Sequence, residues 1–196
     1  MVITTEQLLY ENRMYKDPKH RIFNMARKGE IIPIKRGMYE TDKDTPGYLL
    51  ANVLLGPSYL SFEYALSYYG MIPERVEVYT SATFGKRKIH EFKNDFGTYR
   101  YRDIPLEVYP YFYTREVIGG RPFLIATKEK ALCDMVSIVS PIRGIADFEE
   151  YLFDGMRLDE DEFDSLDETR ISKIAPLYHK TNTDRLIRVI ERRKNR

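Results

Sequence analysis

Two helix-start signals followed by a glycine-turned pair of apolar segments are packed into the first forty residues, and this order constrains the fold more than any other feature. Thr4-Thr5-Glu6-Gln7 fits a capping box, with Thr4 at the N-cap and Gln7 three residues on. It predicts a short helix carrying Leu8 and Leu9 inward. Asp17-Pro18 is a second start, an N-cap followed by proline at the first helical position. That helix is expected to reach Lys28 and stop at Gly29, a natural residue just past a helix end. Its apolar stripe is Ile22, Met25 and Ala26, at i, i+3 and i+4. At 100° per residue, His20, Asn24 and Arg27 fall on the opposite face, with Arg21 and Lys28 beside them. Ile31 to Tyr39 then reads as two short apolar strands around Lys35-Arg36-Gly37, where glycine can take φ > 0. This predicts a hairpin with a basic tip.

Helix, basic helix and basic-tipped hairpin is the order of a winged helix-turn-helix. In such a module the basic helix lies in the major groove, where Asn and Arg read base edges. Tip cations sit on phosphates and fix register. The candidate DNA-contacting residues are Lys19, His20, Arg21, Asn24, Arg27 and Lys28 on the helix, and Lys35 and Arg36 on the hairpin. The alternative is a helical cap with solvated charges. Only Tyr10 to Lys16 separates the two helices, which leaves no room for a third, so an abbreviated domain is expected over residues 1–45.

Composition narrows the function classes. The 196 residues allow one domain or two small ones, and 43% apolar content is enough for a core. With 31 Lys and Arg against 30 Asp and Glu, a uniformly basic nucleic-acid coat is excluded. The charge is nonetheless uneven. Residues 86–102 hold six basic and two acidic side chains, residues 146–170 two and eleven, and residues 184–196 six and two. Such asymmetry points to a polyanion partner, to an intramolecular or dimer contact, or simply to solvated helix faces. No apolar run approaches the length of a membrane span, and the first residues lack the pattern of a secretory signal. The single cysteine, Cys133, excludes an intrachain disulfide, and the expected setting is the reducing cytoplasm.

Residues 46–196 read as a second, mixed domain, with a hinge expected at residues 40–46. Thr45-Pro46 starts a helix carrying Leu49, Leu50, Val53 and Leu54. Ser61 caps another, with Phe62, Ala65, Leu66 and Tyr69 inward, stopped by Gly70. Strands are expected at Val76–Thr80, Ile89–Phe92, Thr98–Ile104, Glu107–Tyr113 and Phe123–Ala126. Thr127 caps an apolar helix through Val136, and helical stretches follow near Asp147–Phe153, Asp159–Leu166, Thr169–Tyr178 and Thr183–Arg193. The fold class is therefore α+β: a small winged helix-turn-helix, then a mixed α/β domain with a largely antiparallel sheet and a helical C-terminal part.

Four ordered blocks carry a family resemblance. They are Lys35-Arg36-Gly37-Met38-Tyr39; Pro57-Ser58-Tyr59-Leu60-Ser61-Phe62-Glu63-Tyr64-Ala65-Leu66-Ser67-Tyr68-Tyr69-Gly70-Met71-Ile72-Pro73-Glu74; Tyr79-Thr80-Ser81-Ala82-Thr83; and Ala126-Thr127-Lys128-Glu129-Lys130-Ala131-Leu132-Cys133-Asp134. Together they resemble the AbiEi-type antitoxins of type IV toxin–antitoxin (abortive infection) systems, over roughly residues 1–140. The resemblance implies an N-terminal winged helix that binds its own operator as double-stranded DNA and represses transcription, with a homodimer on DNA as one arrangement. It further implies a C-terminal domain that counteracts a nucleotidyltransferase-like toxin without needing direct contact with it.

The remaining chemistry-bearing residues have plain readings beside functional ones. On a strand, Tyr99 and Tyr101 share one face and Arg100 and Arg102 the other. Together with Lys86, Arg87 and Lys88 these arginines are the candidate antitoxin surface, with tyrosines as stacking platforms. The plain alternative buries the tyrosines and solvates the arginines. Asp159-Glu160-Asp161-Glu162 reads as anions at a helix N-terminus rather than a metal site. His20, His90 and His179 are isolated, and Cys133 lies in an apolar run that favours burial. No phosphate-cradling glycine loop, nucleophile elbow or metal-ligand spacing is present, so no catalytic residue, metal or cofactor is assigned. The reading is a non-enzymatic DNA-binding autorepressor and antitoxin. The alternatives are a protein-interaction module that no longer binds DNA, and a nuclease-like enzyme.

Overall fold

The computed structural model describes residues 1–194; Asn195 and Arg196, the last two of the second expected domain, lie outside the described residues. The N-terminal unit runs β1 (Val2–Thr4), α1 (Thr5–Glu11), α2 (Pro18–Arg27), β2 (Ile32–Lys35) and β3 (Met38–Glu40). The capping box forms as the sequence predicts: Gln7 N donates to Thr4 Oγ1 at 3.2 Å and Thr4 N donates to Gln7 Oε1 at 2.8 Å. Asp17 caps α2 by accepting from His20 N at 3.0 Å, Pro18 opens the helix, and Gly29 follows its end with φ of 74°. The strand β1 is not anticipated by the sequence. Three residues carry no period, and Val2–Thr4 is a strand because β3 returns to pair with it antiparallel, Ile3 opposite Tyr39. The three strands stand in the order β1-β3-β2. Ile3, Leu8, Ile22 and Ile31 form a small separate core under them.

The second unit begins with a 3-10 turn (Gly47–Leu50) and α3 (Ala51–Leu54), then β4 (Tyr59–Leu60), α4 (Phe62–Tyr68), β5 (Val78–Thr83), β6 (His90–Asn94), β7 (Gly97–Asp103), β8 (Tyr113–Ile118), β9 (Arg121–Ala126) and α5 (Lys128–Ser137). The C-terminal part is helical: α6 (Ile145–Glu150) running into a π turn, α7 (Glu160–Asp164), α8 (Glu168–Ile174) with a 3-10 extension, and α9 (Thr181–Lys194). Strands β4 to β9 form one sheet, ordered β6-β7-β5-β4-β9-β8. Pairings β6–β7, β5–β4 and β9–β8 are antiparallel, whereas β7–β5 and β4–β9 are parallel.

Alternation along the strands gives the sheet two buried faces. Tyr99 and Tyr101 point toward residues 47–54, where their hydroxyls donate to the carbonyls of Gly47 (3.1 Å) and Ala51 (2.6 Å). Tyr59 points to the opposite side, toward α5, which in turn packs on α8 and α9. Leu50, Leu54, Leu60 and Leu132 are fully buried between these layers, each worth about 1.5–3 kcal/mol of transfer free energy.

One expected strand is corrected. Glu107–Tyr113 is not a strand: the chain turns from Ile104 to Phe112, and the strand is β8, starting at Tyr113. Pro105 and Pro110 remove ladder donors from the earlier segment. The β8–β9 hairpin turns through Gly119 and Gly120, both at positive φ as a two-residue primed turn demands.

The expected hinge at residues 40–46 is clamped at both ends. Arg121 donates to Glu40 Oε2 and to Thr45 Oγ1, both at 2.6 Å, and the Glu40 side chain is fully buried. Ile34 of β2 belongs to the large core rather than the small one, and Asn94 Nδ2 donates to its carbonyl at 3.1 Å. Among the described residues no helix is long and apolar enough to cross a membrane.

Candidate nucleic-acid interface

Helix α2 buries Ile22 and half-buries Met25 and Ala26, so its opposite side is turned to solvent. Lys19, His20 and Arg27 are exposed there and Asn24 is half-buried. Arg21 and Lys28 are tied to the carboxylate of Glu30, at 3.7 and 4.0 Å, and the Arg21 guanidinium also lies 5.5 Å from the Tyr15 ring centre. The sequence reading passed over Phe23. It lies off the Ile22-Met25-Ala26 stripe, is 61% exposed, and stacks 6.4 Å from His20. An apolar residue off the buried stripe and among polar ones was the available signal.

At the hairpin, Arg36 is exposed in the turn before Gly37, whose φ is 80°. Lys35 leaves the tip, and its Nζ donates to the Leu54 carbonyl at 2.8 Å. Lys86 reaches the neighbouring Gly56 carbonyl at 3.3 Å. The two basic segments, 35–36 and 86–88, therefore flank one loop although fifty residues separate them in sequence. Arg87 and Lys88 are exposed beside it.

The two arginines of β7 have acidic partners. Arg100 Nε is 2.6 Å from Glu91 Oε1 across the β6–β7 pair. One Arg102 nitrogen donates to both oxygens of Glu63 at 2.8 Å, with the guanidinium 5.1 Å from the Phe62 ring centre. Tyr99 and Tyr101 are fully buried, so β7 presents no stacking platform. The acidic block and the basic C-terminal segment also meet within the molecule. Arg193 pairs with Glu160 and Asp164 at 2.9 Å, Arg192 with Glu149 at 3.5 Å, and Lys194 with Glu168. Residues 159–164 form an ordinary capped helix start, with Glu162 N donating to Asp159.

The most concentrated polar chemistry lies inside the second unit. Lys130 and Asp134, one turn apart on α5, face the sheet and are fully buried. Asp134 Oδ1 accepts from Lys130 Nζ (3.0 Å) and Tyr178 OH (2.5 Å); Oδ2 accepts from Ser61 Oγ (2.6 Å) and Tyr59 OH (3.1 Å). Lys130 Nζ also donates to Tyr178 OH at 2.7 Å. Burial, and then the Asp134 charge, push the Tyr59 and Tyr178 phenols well above their usual range, so both stay protonated as donors. Tyr59, Ser61, Lys130, Asp134 and Tyr178 are each at most 1% exposed. A closed, mutually satisfied cluster with no opening to solvent holds elements together and offers a substrate no access.

This cluster explains the Ser61 block in physical terms. Ser61 precedes α4, but its hydroxyl is spent on Asp134 and caps nothing. Thr80 supplies the cap instead, accepting from Tyr64 N at 3.0 Å and donating to the Ser61 carbonyl at 2.7 Å. Between them Phe62 adopts φ of 55°, a strained conformation for a bulky residue, held by its fully buried ring and by the Arg102–Glu63 pair.

Cys133 is fully buried, and burial pushes its thiol far above the ordinary range. His20 and His179 are exposed and His90 is half-buried. Among the described residues no three His, Cys, Asp or Glu side chains are grouped so as to hold a metal ion. No known family model matches the chain, and no curated protein matches it significantly.

Proposed function

We propose that the chain is a DNA-binding transcriptional autorepressor and antitoxin of the type IV class, opposing a nucleotidyltransferase-like toxin. The observation that carries the DNA-binding half is the outward side of α2. His20, Phe23, Asn24 and Arg27 stand together on a helix whose other side is locked into a small core. The sheet order β1-β3-β2 and the exposed Arg36 at the β2–β3 turn support a winged-helix reading. In that reading Asn24 and Arg27 reach base edges, Phe23 packs on thymine methyl groups, and Lys19 and Arg36 hold phosphates. The loop bearing Arg87 and Lys88 extends the basic surface beside the hairpin. The antitoxin half rests on the four sequence blocks and on the second unit's larger core, to which β2 adds Ile34.

A mobility-shift titration against DNA upstream of the chain's own gene, at two salt concentrations, tests the reading. Preference over scrambled duplex at moderate salt is the expected result. Equal binding to both moves the assignment to an interaction module, a reading that exposed Tyr10 of α1 and Met14 and Tyr15 just after it favour.

A further inference from the structure

The tyrosines of β7 are enclosed, but a different set stays open to solvent. Tyr48, Tyr64, Tyr68 and Tyr79 line a cleft of about 450 Å³ between the 47–50 turn, α4 and β5, together with Arg75 and Glu77. That volume suits a small ligand. The aromatic wall is fixed by the backbone. A Cβ at Gly47 would stand 2.4 Å from Tyr79 Cε2, and one at Gly97 2.7 Å from the same atom, so two glycines leave the slot that this ring fills. Its centre is 5.2 Å from the Tyr64 ring and 5.1 Å from the Tyr99 ring.

Four phenol-bearing side chains line the one cleft. Burial raises the Tyr64 phenol, and its neighbours Tyr79, Tyr48 and Tyr68 raise it further, so Tyr64 stays protonated as a donor. Burial also raises the Tyr79 phenol, opposed by a backbone hydrogen bond from Gly47 and by the charge of Arg75, which stands at this end of the ring. Arg75 is exposed and forms no ion pair among the described residues. Glu77 is exposed and lines the cleft, and burial followed by the charge of Glu116 raises the Tyr68 phenol.

We propose that this cleft binds a nucleoside monophosphate. Aromatic faces stack bases without regard to sequence, and Tyr68, 44% exposed, supplies the accessible one. The Arg75 guanidinium and the phenol hydroxyls take the phosphate. Glu77 accepts from the exocyclic amino groups of a base. One guanidinium gives a single phosphate its partner and leaves the further phosphates of a triphosphate without one. The nucleotide is either free or the end of a single strand.

The test is calorimetric titration of the full chain with AMP, GMP, CMP and UMP, with adenosine, ATP and inorganic phosphate, and with a short 5′-phosphorylated single strand. Saturable binding of a monophosphate, about tenfold or more tighter than adenosine and than inorganic phosphate, is expected. Arg75→Gln brings the monophosphate to the nucleoside level, and Tyr68→Ala weakens both. These side chains are exposed, and an unchanged thermal melt shows that each variant folds. Tighter binding of the strand identifies a strand end as the source; equal or weaker binding identifies free nucleotide. No saturable binding at millimolar nucleotide overturns the proposal. So does inorganic phosphate matching the monophosphate, or binding unchanged in both variants. Neither variant touches α2, so the outcome is independent of duplex DNA binding.

Discussion

Lys130 Nζ lies 3.0 Å from Asp134 Oδ1 with both side chains wholly removed from solvent, and together they tie α5 to β4 and to the turn before α9. Removing Lys130 alone leaves the Asp134 carboxylate buried and uncompensated, whereas replacing both removes the charge, provided the Tyr59, Ser61 and Tyr178 hydroxyls keep an acceptor. Lys130→Met should therefore lose about 3–5 kcal/mol in urea unfolding, and adding Asp134→Asn, which removes the charge but keeps an acceptor for the hydroxyls, should recover part of that loss. A Lys130→Met protein within about 1 kcal/mol of the parent would show that the pair does not hold the core.

Stability should fall at acid pH partly through Glu40. Burial alone would raise this carboxyl, but hydrogen bonds from the chain's amino group, Arg121 and the Asp42 N–H outweigh it and hold it below 4.5. A carboxyl lowered in the folded state stabilises above its unfolded value, and the contribution disappears as pH falls through the folded one. Urea midpoints measured from roughly pH 6 to pH 3 should drop less steeply for Glu40→Gln than for the parent. Parallel curves would remove Glu40 from the acid response.

The helix and the hairpin should affect DNA binding differently. Asn24→Ala should cost about 1–3 kcal/mol on the upstream site and relax preference there. Arg36→Ala should weaken all duplexes alike and lower the salt slope by about one unit. Unchanged affinity in both folded variants would place the interface elsewhere.

Antitoxic activity should reside in residues 46–196. That fragment loses the Ile34 contact and the Arg121–Glu40 pair, so it should fold with reduced stability. Reversing charge at Lys86, Arg87 and Lys88 should shift stability by about 0.5 kcal/mol each while abolishing rescue of cells expressing the cognate toxin. Full rescue by the reversed protein would clear this loop of any part in the mechanism, and a folded fragment that cannot rescue would refute separability.

The sequence by itself determined the features set within a few residues of backbone. Thr4, Asp17, Thr127 and Asp159 cap helices where their spacing says, Gly29 follows the end of α2, and the alternation of Tyr99-Arg100-Tyr101-Arg102 sorts rings from charges. It also marked which side of α2 stays in water. Only the tertiary structure decided the rest. β1 exists because β3 comes back to it. Lys35 and Arg102 are engaged because Leu54 and Glu63 arrive beside them, and Ser61 abandons its helix for a carboxylate 73 residues away. Lys130 and Asp134 carry the i, i+4 spacing of a helical pair, yet nothing local says that a sheet and two tyrosines will close over them. Capping and alternation are governed by backbone geometry within about one turn or one pleat. Strand pairing, clamping and the burial of charge depend on which distant groups the folded chain brings within hydrogen-bond reach.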